Sequence, residues 1–144
     1  MSWNIRGLGR QEKRRAVKNL VAKHNPSLFF LQETKLMHVD DKIIRSLGWN
    51  VLSKSMSVDS DGATGGLISL WSDDSFEIKA CISNQRCIIL VGELVKLNKE
   101  VVFCNVYAPS WDSEKAKLWD FIISAQKTLD MPWCIGGDFN SVLH

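Results

Sequence analysis

Asn4 follows Trp3, and Glu33 follows the run Leu28-Phe29-Phe30-Leu31-Gln32. Tyr107 follows Asn105-Val106, and Asp138 and Asn140 come directly after Ile135-Gly136-Gly137. Each of these polar residues sits at the C-terminal end of apolar, strand-like sequence, where the loops of open α/β folds converge on ligands. Two carboxylates and two carboxamides meeting at such an edge form a hard, oxygen-rich donor set. That chemistry suits Mg²⁺, which takes one or two carboxylates and keeps waters for a substrate phosphate. Zinc would ask for clustered thiolates or imidazoles. The cysteines at 81, 87, 104 and 134 show no short C-x-x-C spacing, and no imidazole cluster accompanies them. Singly, each signal has a plainer reading: Asp-x-Asn after glycines is usually a turn, and a Glu after a strand usually starts a helix.

The elements that would position these residues can be read from hydrophobic spacing. A short strand is predicted at 3–5, ended by Gly7 and Gly9. Ala16, Val17, Leu20 and Val21 mark one face of a helix over 11–24, which Asn25-Pro26 stops. The continuous apolar run 28–31 predicts a strand buried on both faces. A second helix is predicted over 39–47, with Gly48 placed to close it. Five strands follow, at 49–53, 66–71, 76–82, 87–95 and 101–107, with a polar loop at 56–64. Asn84-Gln85 and Leu97-Asn98-Lys99 are the predicted hairpin turns. A third helix over 113–129 and a strand at 133–135 complete the order, with Trp3 and Trp133 expected in the core. This arrangement predicts a layered α/β sandwich rather than an all-parallel sheet.

The 144 residues, 45% apolar and 24% charged, fit one globular domain and exclude a disordered tail, a collagen-like rod or a disulfide-dense miniprotein. No apolar run reaches the ~20 residues that span a bilayer, and no signal-peptide pattern is evident at the N-terminus. The expectation is an intracellular protein, nuclear or cytoplasmic and not secreted, with reduced and mostly buried thiols. The net charge of +2 is unevenly spread. Residues 1–45 carry ten Lys/Arg against four Asp/Glu, and residues 46–144 carry eight against twelve. A solvated helix face is the plainer reading of that excess; attraction of a polyanion such as nucleic acid is the alternative.

The local words are more specific than their parts. Ser2-Trp3-Asn4-Ile5-Arg6-Gly7-Leu8, Leu31-Gln32-Glu33-Thr34-Lys35, Gly65-Gly66-Leu67, Asn105-Val106-Tyr107-Ala108-Pro109 and Gly137-Asp138-Phe139-Asn140 occur in this order. Together they resemble the endonuclease/exonuclease/phosphatase superfamily, and most nearly the apurinic-type endonuclease domain of plant LINE (non-LTR) retrotransposons. The resemblance implies a two-sheet α/β sandwich of the deoxyribonuclease type and a Mg²⁺- or Mn²⁺-dependent phosphodiesterase acting on DNA. It implies that Asn4 and Glu33 form the metal pair, with Glu33 the direct ligand. Asp138 would orient or deprotonate the attacking water, Asn140 would donate to the scissile phosphate, and Tyr107 would make a further contact to phosphate or nucleophile. Arg6, Arg10 and Arg14 are candidate nucleic-acid contacts. Gly65-Gly66 more simply serve backbone geometry.

In that family a second half follows the Gly-Asp-Phe-Asn word and brings a Ser-Asp-His word, whose histidine serves the reacting phosphate. His144 stands at a different point in the motif order, and His24 and His38 read as surface residues. The resemblance therefore implies a single domain over 1–144, incomplete at its C-terminus and inactive alone. Two other readings stay open: a nucleic-acid-binding module that does not cut, and a phosphatase or other phosphodiesterase of the same superfamily. Strands 87–95, 101–107 and 133–135 are expected to lose neighbours, leaving apolar surface by 136–140 for self-association or a partner chain.

Overall fold

The structure is a computed structural model and describes residues 1–140. Two four-stranded sheets pack face to face, with a helix against the outer side of each. The first sheet is ordered β1-β2-β4-β3, from β1 (Ser2–Asn4), β2 (Leu28–Gln32), β3 (Lys54–Val58) and β4 (Leu67–Trp71). The second is ordered β5-β6-β7-β8, from β5 (Phe76–Ser83), β6 (Cys87–Leu94), β7 (Lys99–Tyr107) and β8 (Trp133–Asp138). In each sheet one edge pair is parallel, β1 with β2 and β7 with β8, and the remaining pairs are antiparallel. This is the expected two-sheet α/β sandwich.

Period-two alternation sorts side chains between layers. On β2, Phe29 and Leu31 face α1 (Gln11–His24) and pack against Val17 and Val21, while Leu28 packs in the layer between the sheets. On β7, Val102, Cys104 and Val106 face Leu118 and Ile122 of α3 (Asp112–Thr128). Phe103 and Tyr107 turn the other way, into the cluster of Leu67, Trp71, Phe76, Ile88 and Leu90 between the sheets. Trp3 and Trp133 are partly buried against the two outer clusters, as expected of core residues. All four cysteines are free; Cys87 and Cys104 are buried, but Cys134 is exposed.

Asn105 breaks the apolar layer. It is fully buried, accepts a hydrogen bond from Gln32 Nε2 at 2.8 Å, and donates through Nδ2 to Ile68 O at 3.1 Å and Ser69 Oγ at 3.2 Å. The amide thus ties the second sheet to two strands of the first.

Four expectations need correction. The strand predicted at 49–53 is a turn, in which Val51 and Leu52 both donate their N–H to Gly48 O. Leu52 is buried there beside α1. The strand comes later, as β3, and runs into the first residues of the segment read as a loop at 56–64; Met56 and Val58 alternate with Ser55 and Ser57 and send one face into the intersheet layer. The second helix is only α2 (Asp41–Arg45), capped by Asp40, whose carboxylate accepts from Ile43 N at 2.8 Å. Finally, β6 and β7 are paired on both sides, and within the second sheet only β5 and β8 are edge strands.

Candidate active site

Gln11 opens α1 only after the chain has passed through a loop that is laced to β2's extension. Ile5 N donates to Gln32 O, Gly7 N to Glu33 O and Leu8 N to Thr34 O, at 3.0, 2.8 and 2.9 Å. On the far side of the same segment, Thr34 N and Lys35 N donate to Gly66 O and Gly65 O. Gly66, at φ +94°, is required here, since a Cβ would come within 2.2 Å of Thr34 Oγ1. Gly65-Gly66 therefore serve backbone geometry.

Among the described residues six other than glycine have positive φ, and three of them are Asn25, Asn98 and Asn140, a residue type that tolerates this region. The other three, Arg6 at +51°, Glu33 at +56° and Lys35 at +57°, lie in the laced segment. Such backbone strain concentrates where function requires a fixed geometry.

The two sheets meet through their edge strands β1 and β8. At that seam Asn4 Nδ2 donates to Asp138 Oδ2 at 2.6 Å. Asp138 is opposite Tyr107 in the parallel β7–β8 register. Gly137 permits this close pairing, because a Cβ there would collide with the Val106 backbone at 2.0 Å. The other carboxylate oxygen, Asp138 Oδ1, accepts from Asn140 N at 2.9 Å. Asn140 Nδ2 donates to Ala108 O at 2.8 Å, and Lys115 Nζ donates to Asn140 O at 2.5 Å. Asn140 is therefore held on three sides.

Glu33 is half-buried and pairs loosely with Lys35 Nζ at 3.8 Å. Its charge and that of Asp138 both act on Tyr107. Burial, first, and then these two carboxylates raise the phenol's pKa above its usual range, against the opposing pull of Arg86 and Arg6. Tyr107 therefore carries its proton at neutral pH and offers an O–H donor among acceptors.

Asn4, Glu33, Asp138, Asn140 and Tyr107 thus come together at one strand end. Among the described residues no group of three or more His, Cys, Asp or Glu is arranged to hold a metal. The two carboxylates with the Asn4 amide still fit a cation that keeps most of its water, as Mg²⁺ does. Of the candidate nucleic-acid contacts, Arg6 and Arg10 line a cavity of about 350 Å³ with Lys13. Arg14 Nη1 is already committed to Leu8 O and Gly9 O, at 3.1 and 2.8 Å, and braces the loop. His144 lies outside the described residues.

Arg86 was not legible in the sequence as a site residue. The β5–β6 hairpin holds its guanidinium 5.9 Å from the centroid of the Tyr107 ring. The only local signal is the Asn84-x-Arg86 turn, where Asn84 Oδ1 accepts from Arg86 N at 2.8 Å and Cys87 N at 3.0 Å.

Solved structures share this architecture. TDP2 from Caenorhabditis elegans superposes with a TM-score of 0.73 at 24% identity, over 98% of this chain and 46% of that one. The human Nocturnin catalytic domain gives 0.65 at 12% identity, over 97% and 62%. A mannosyl-6-phosphatase from Bacteroides thetaiotaomicron gives 0.67 at 16% identity, over 96% and 64%. The chain thus spans between about half and two thirds of the length of these structures, and at such identities the likeness is one of fold. The model of the Endonuclease/Exonuclease/phosphatase family matches residues 1–144, and the chain belongs to that family.

Proposed function

We propose that the Asn4–Glu33–Asp138 cluster is the metal- and water-handling part of a phosphodiester-hydrolysing site, in a DNA endonuclease of the LINE retrotransposon type. One observation carries this reading: the 2.6 Å hydrogen bond between Asn4 Nδ2 and Asp138 Oδ2, which joins the two sheets at their ligand-facing ends. Asn4 thereby fixes one Asp138 oxygen, and the Asn140 N–H fixes the other. A carboxylate held at both oxygens has the orientation that a base for an in-line water requires. Glu33, with its loose lysine pairing, is the residue to bind Mg²⁺ or Mn²⁺. Such a cation would neutralise charge on the non-bridging phosphate oxygens. Tyr107 donates its proton in a hydrogen bond to the phosphate, and Asn140 flanks it.

Hydrolysis also needs help for the leaving oxygen. His24 ends α1 and His38 lies in the loop before α2. Neither hydrogen-bonds to Asn4, Glu33, Tyr107 or Asp138 among the described contacts. Lack of one acid or donor costs on the order of 10²–10⁴-fold in rate, so the 144 residues alone are expected to nick DNA negligibly. The test is nicking of supercoiled and abasic DNA with Mg²⁺, Mn²⁺ or a chelator. Chains extended with a Ser-Asp-His segment should nick, and Glu33→Gln or Asp138→Asn should abolish that activity. Robust metal-dependent nicking by the 144 residues, unaffected by either substitution, would sink the assignment.

The second reading, a binding module, is favoured by the cations along α1. Arg10, Arg15 and Lys18 form no ion pair among the described residues. It expects metal-independent DNA binding whose affinity falls steeply with salt. A sugar-phosphatase reading expects release of phosphate from small monoesters instead.

A further inference from the structure

Two of the four thiols meet inside the second sheet. Cys87 opens β6, and Cys104 lies on β7. Their antiparallel register sets Cys87 opposite Val106 and Cys104 opposite Ile89, so the two cysteines are diagonal neighbours on one face. Both are fully buried in the layer against Leu118 and Ile122 of α3, and their thiols hydrogen-bond to each other. The other two cysteines do not share that face. Cys81 is half-buried in the layer between the sheets, and Cys134 is exposed, between Trp133 and Ile135 of β8, which pack toward α3.

A buried thiol in apolar surroundings is ordinarily inert. This pair is asymmetric instead. The hydrogen bond from Cys104 lowers the pKa of Cys87; burial opposes it, and the Asn84 side chain adds to it, so the net shift is downward. The same hydrogen bond, then burial, then the charge of Cys87 hold Cys104 far above the usual thiol range. Cys87 therefore ionises first, with a protonated thiol in contact. It also has a short way to solvent, because it directly follows the hairpin turn in which Gln85 is exposed. Asn84 fixes it there: Asn84 Oδ1 accepts from Cys87 N, and Asn84 N donates to Cys87 O, both at 3.0 Å.

We propose that Cys87 and Cys104 form a modification site, a dithiol that hydrogen peroxide closes to a reversible disulfide between β6 and β7, with Cys87 attacking and Cys104 resolving. The Cys87 thiolate attacks the peroxide, the O–O bond breaks, and the sulfur becomes a sulfenic acid while the other oxygen leaves as water once protonated. Cys104 then attacks that sulfur; the S–O bond breaks, and the hydroxyl leaves as water with the Cys104 proton. Two thiols are oxidised to one disulfide, and one peroxide is reduced to two waters. Full burial keeps out a bulky disulfide reagent, whereas peroxide is little larger than water. Diagonal neighbours stand about 7–8 Å apart at their Cα atoms, slightly more than a disulfide usually spans. Closure must therefore draw the start of β6 along β7, and a bond strained in this way is readily reduced again. The strain falls on the hairpin end, where Tyr107 N donates to Arg86 O at 2.9 Å.

The test treats the folded chain with hydrogen peroxide, blocks the remaining thiols in denaturant, and maps tryptic peptides by mass spectrometry. Cys87 and Cys104 fall on separate peptides, 87–96 and 100–115, so their bond appears as a cross-linked pair. That pair should be the main disulfide product and should be lost on treatment with a thiol reductant. A chain unfolded in urea before oxidation should lose the preference, since its four thiols then meet without register. Cys104→Ala should stop the reaction at a Cys87 sulfenic acid, captured by dimedone, and Cys87→Ala should leave Cys104 a free thiol. The mapping of the unsubstituted chain decides the matter even if a variant fails to fold. No cross-link although the exposed Cys134 has been oxidised, an equal yield from folded and unfolded chain, or dimedone on Cys104 instead of Cys87 would overturn the proposal.

Discussion

Tyr107 is the one tyrosine of the chain, so its ionisation can be followed without interference from another phenol. Burial and the charges of Glu33 and Asp138 hold its pKa above the usual value of 10.0. The folded state therefore binds this proton more tightly than the unfolded state does. The resulting stabilisation is intact below about pH 10 and is lost as the pH rises through the folded-state value. An ultraviolet titration of tyrosinate should give a midpoint above that of a free phenol. Glu33→Gln and Asp138→Asn should each lower the midpoint, and Arg86→Gln should raise it. If neither carboxylate variant moves the titration, Tyr107 does not share a site with them.

Asn105 shows how elements, and not single residues, hold this site in place. It lies two residues before Tyr107 on β7 and is bonded to β2 and β4 across the sandwich. In the sequence it was only one letter of the Asn105-Val106-Tyr107 word, since no local pattern distinguishes a buried amide from an exposed one. Asn105→Ala would strand Gln32 Nε2 on its remaining bond to Ser2 Oγ and leave Ser69 without this donor. Each stranded group costs about 1–3 kcal/mol, and the vacated volume adds to the loss. Denaturant melts should show the fall in midpoint; an unchanged midpoint would mean that the sheets do not depend on this bridge. The misplaced third strand has a related cause. Residues 49–53 are apolar enough for a strand, but the Gly48 turn and the burial of Leu52 beside α1 use that apolarity elsewhere.

At the scale of the molecule, β8 is an edge strand with one side of its ladder unpaired among the described residues, and its Cys134 is exposed. Trp111, Phe121 and Ile123 expose 75%, 37% and 49% of their surface on or at the start of α3, the helix that packs against the sheet containing this edge. Trp133 and Ile135 of β8 are only partly buried. An open edge flanked by apolar side chains is a template for a further strand. Sedimentation at increasing concentration should reveal self-association that a charged residue on the edge, Cys134→Lys, suppresses. A monomer at every concentration, with no binding of apolar dyes, would show that the edge is adequately protected by its neighbours.

Most of the element order was legible in the sequence alone. Apolar runs with polar residues at their ends marked β1, β2, β7 and β8, because strand burial and strand termination both leave a local signature. The five words placed the chain in a family through residues whose backbone or side-chain requirements are strict, such as Gly66 beside Thr34 and Gly137 against Val106. What the tertiary structure alone decided is which ends meet. Asn4 and Asp138 are 134 positions apart, and only the face-to-face packing of two separate sheets brings their edge strands together. The same holds for the amide of Asn105. Both depend on a contact between layers, and the pairing of layers is set by the summed burial of whole faces, which no local stretch of sequence encodes. Arg86 meets Tyr107 within one sheet instead, through the pairing of β6 with β7.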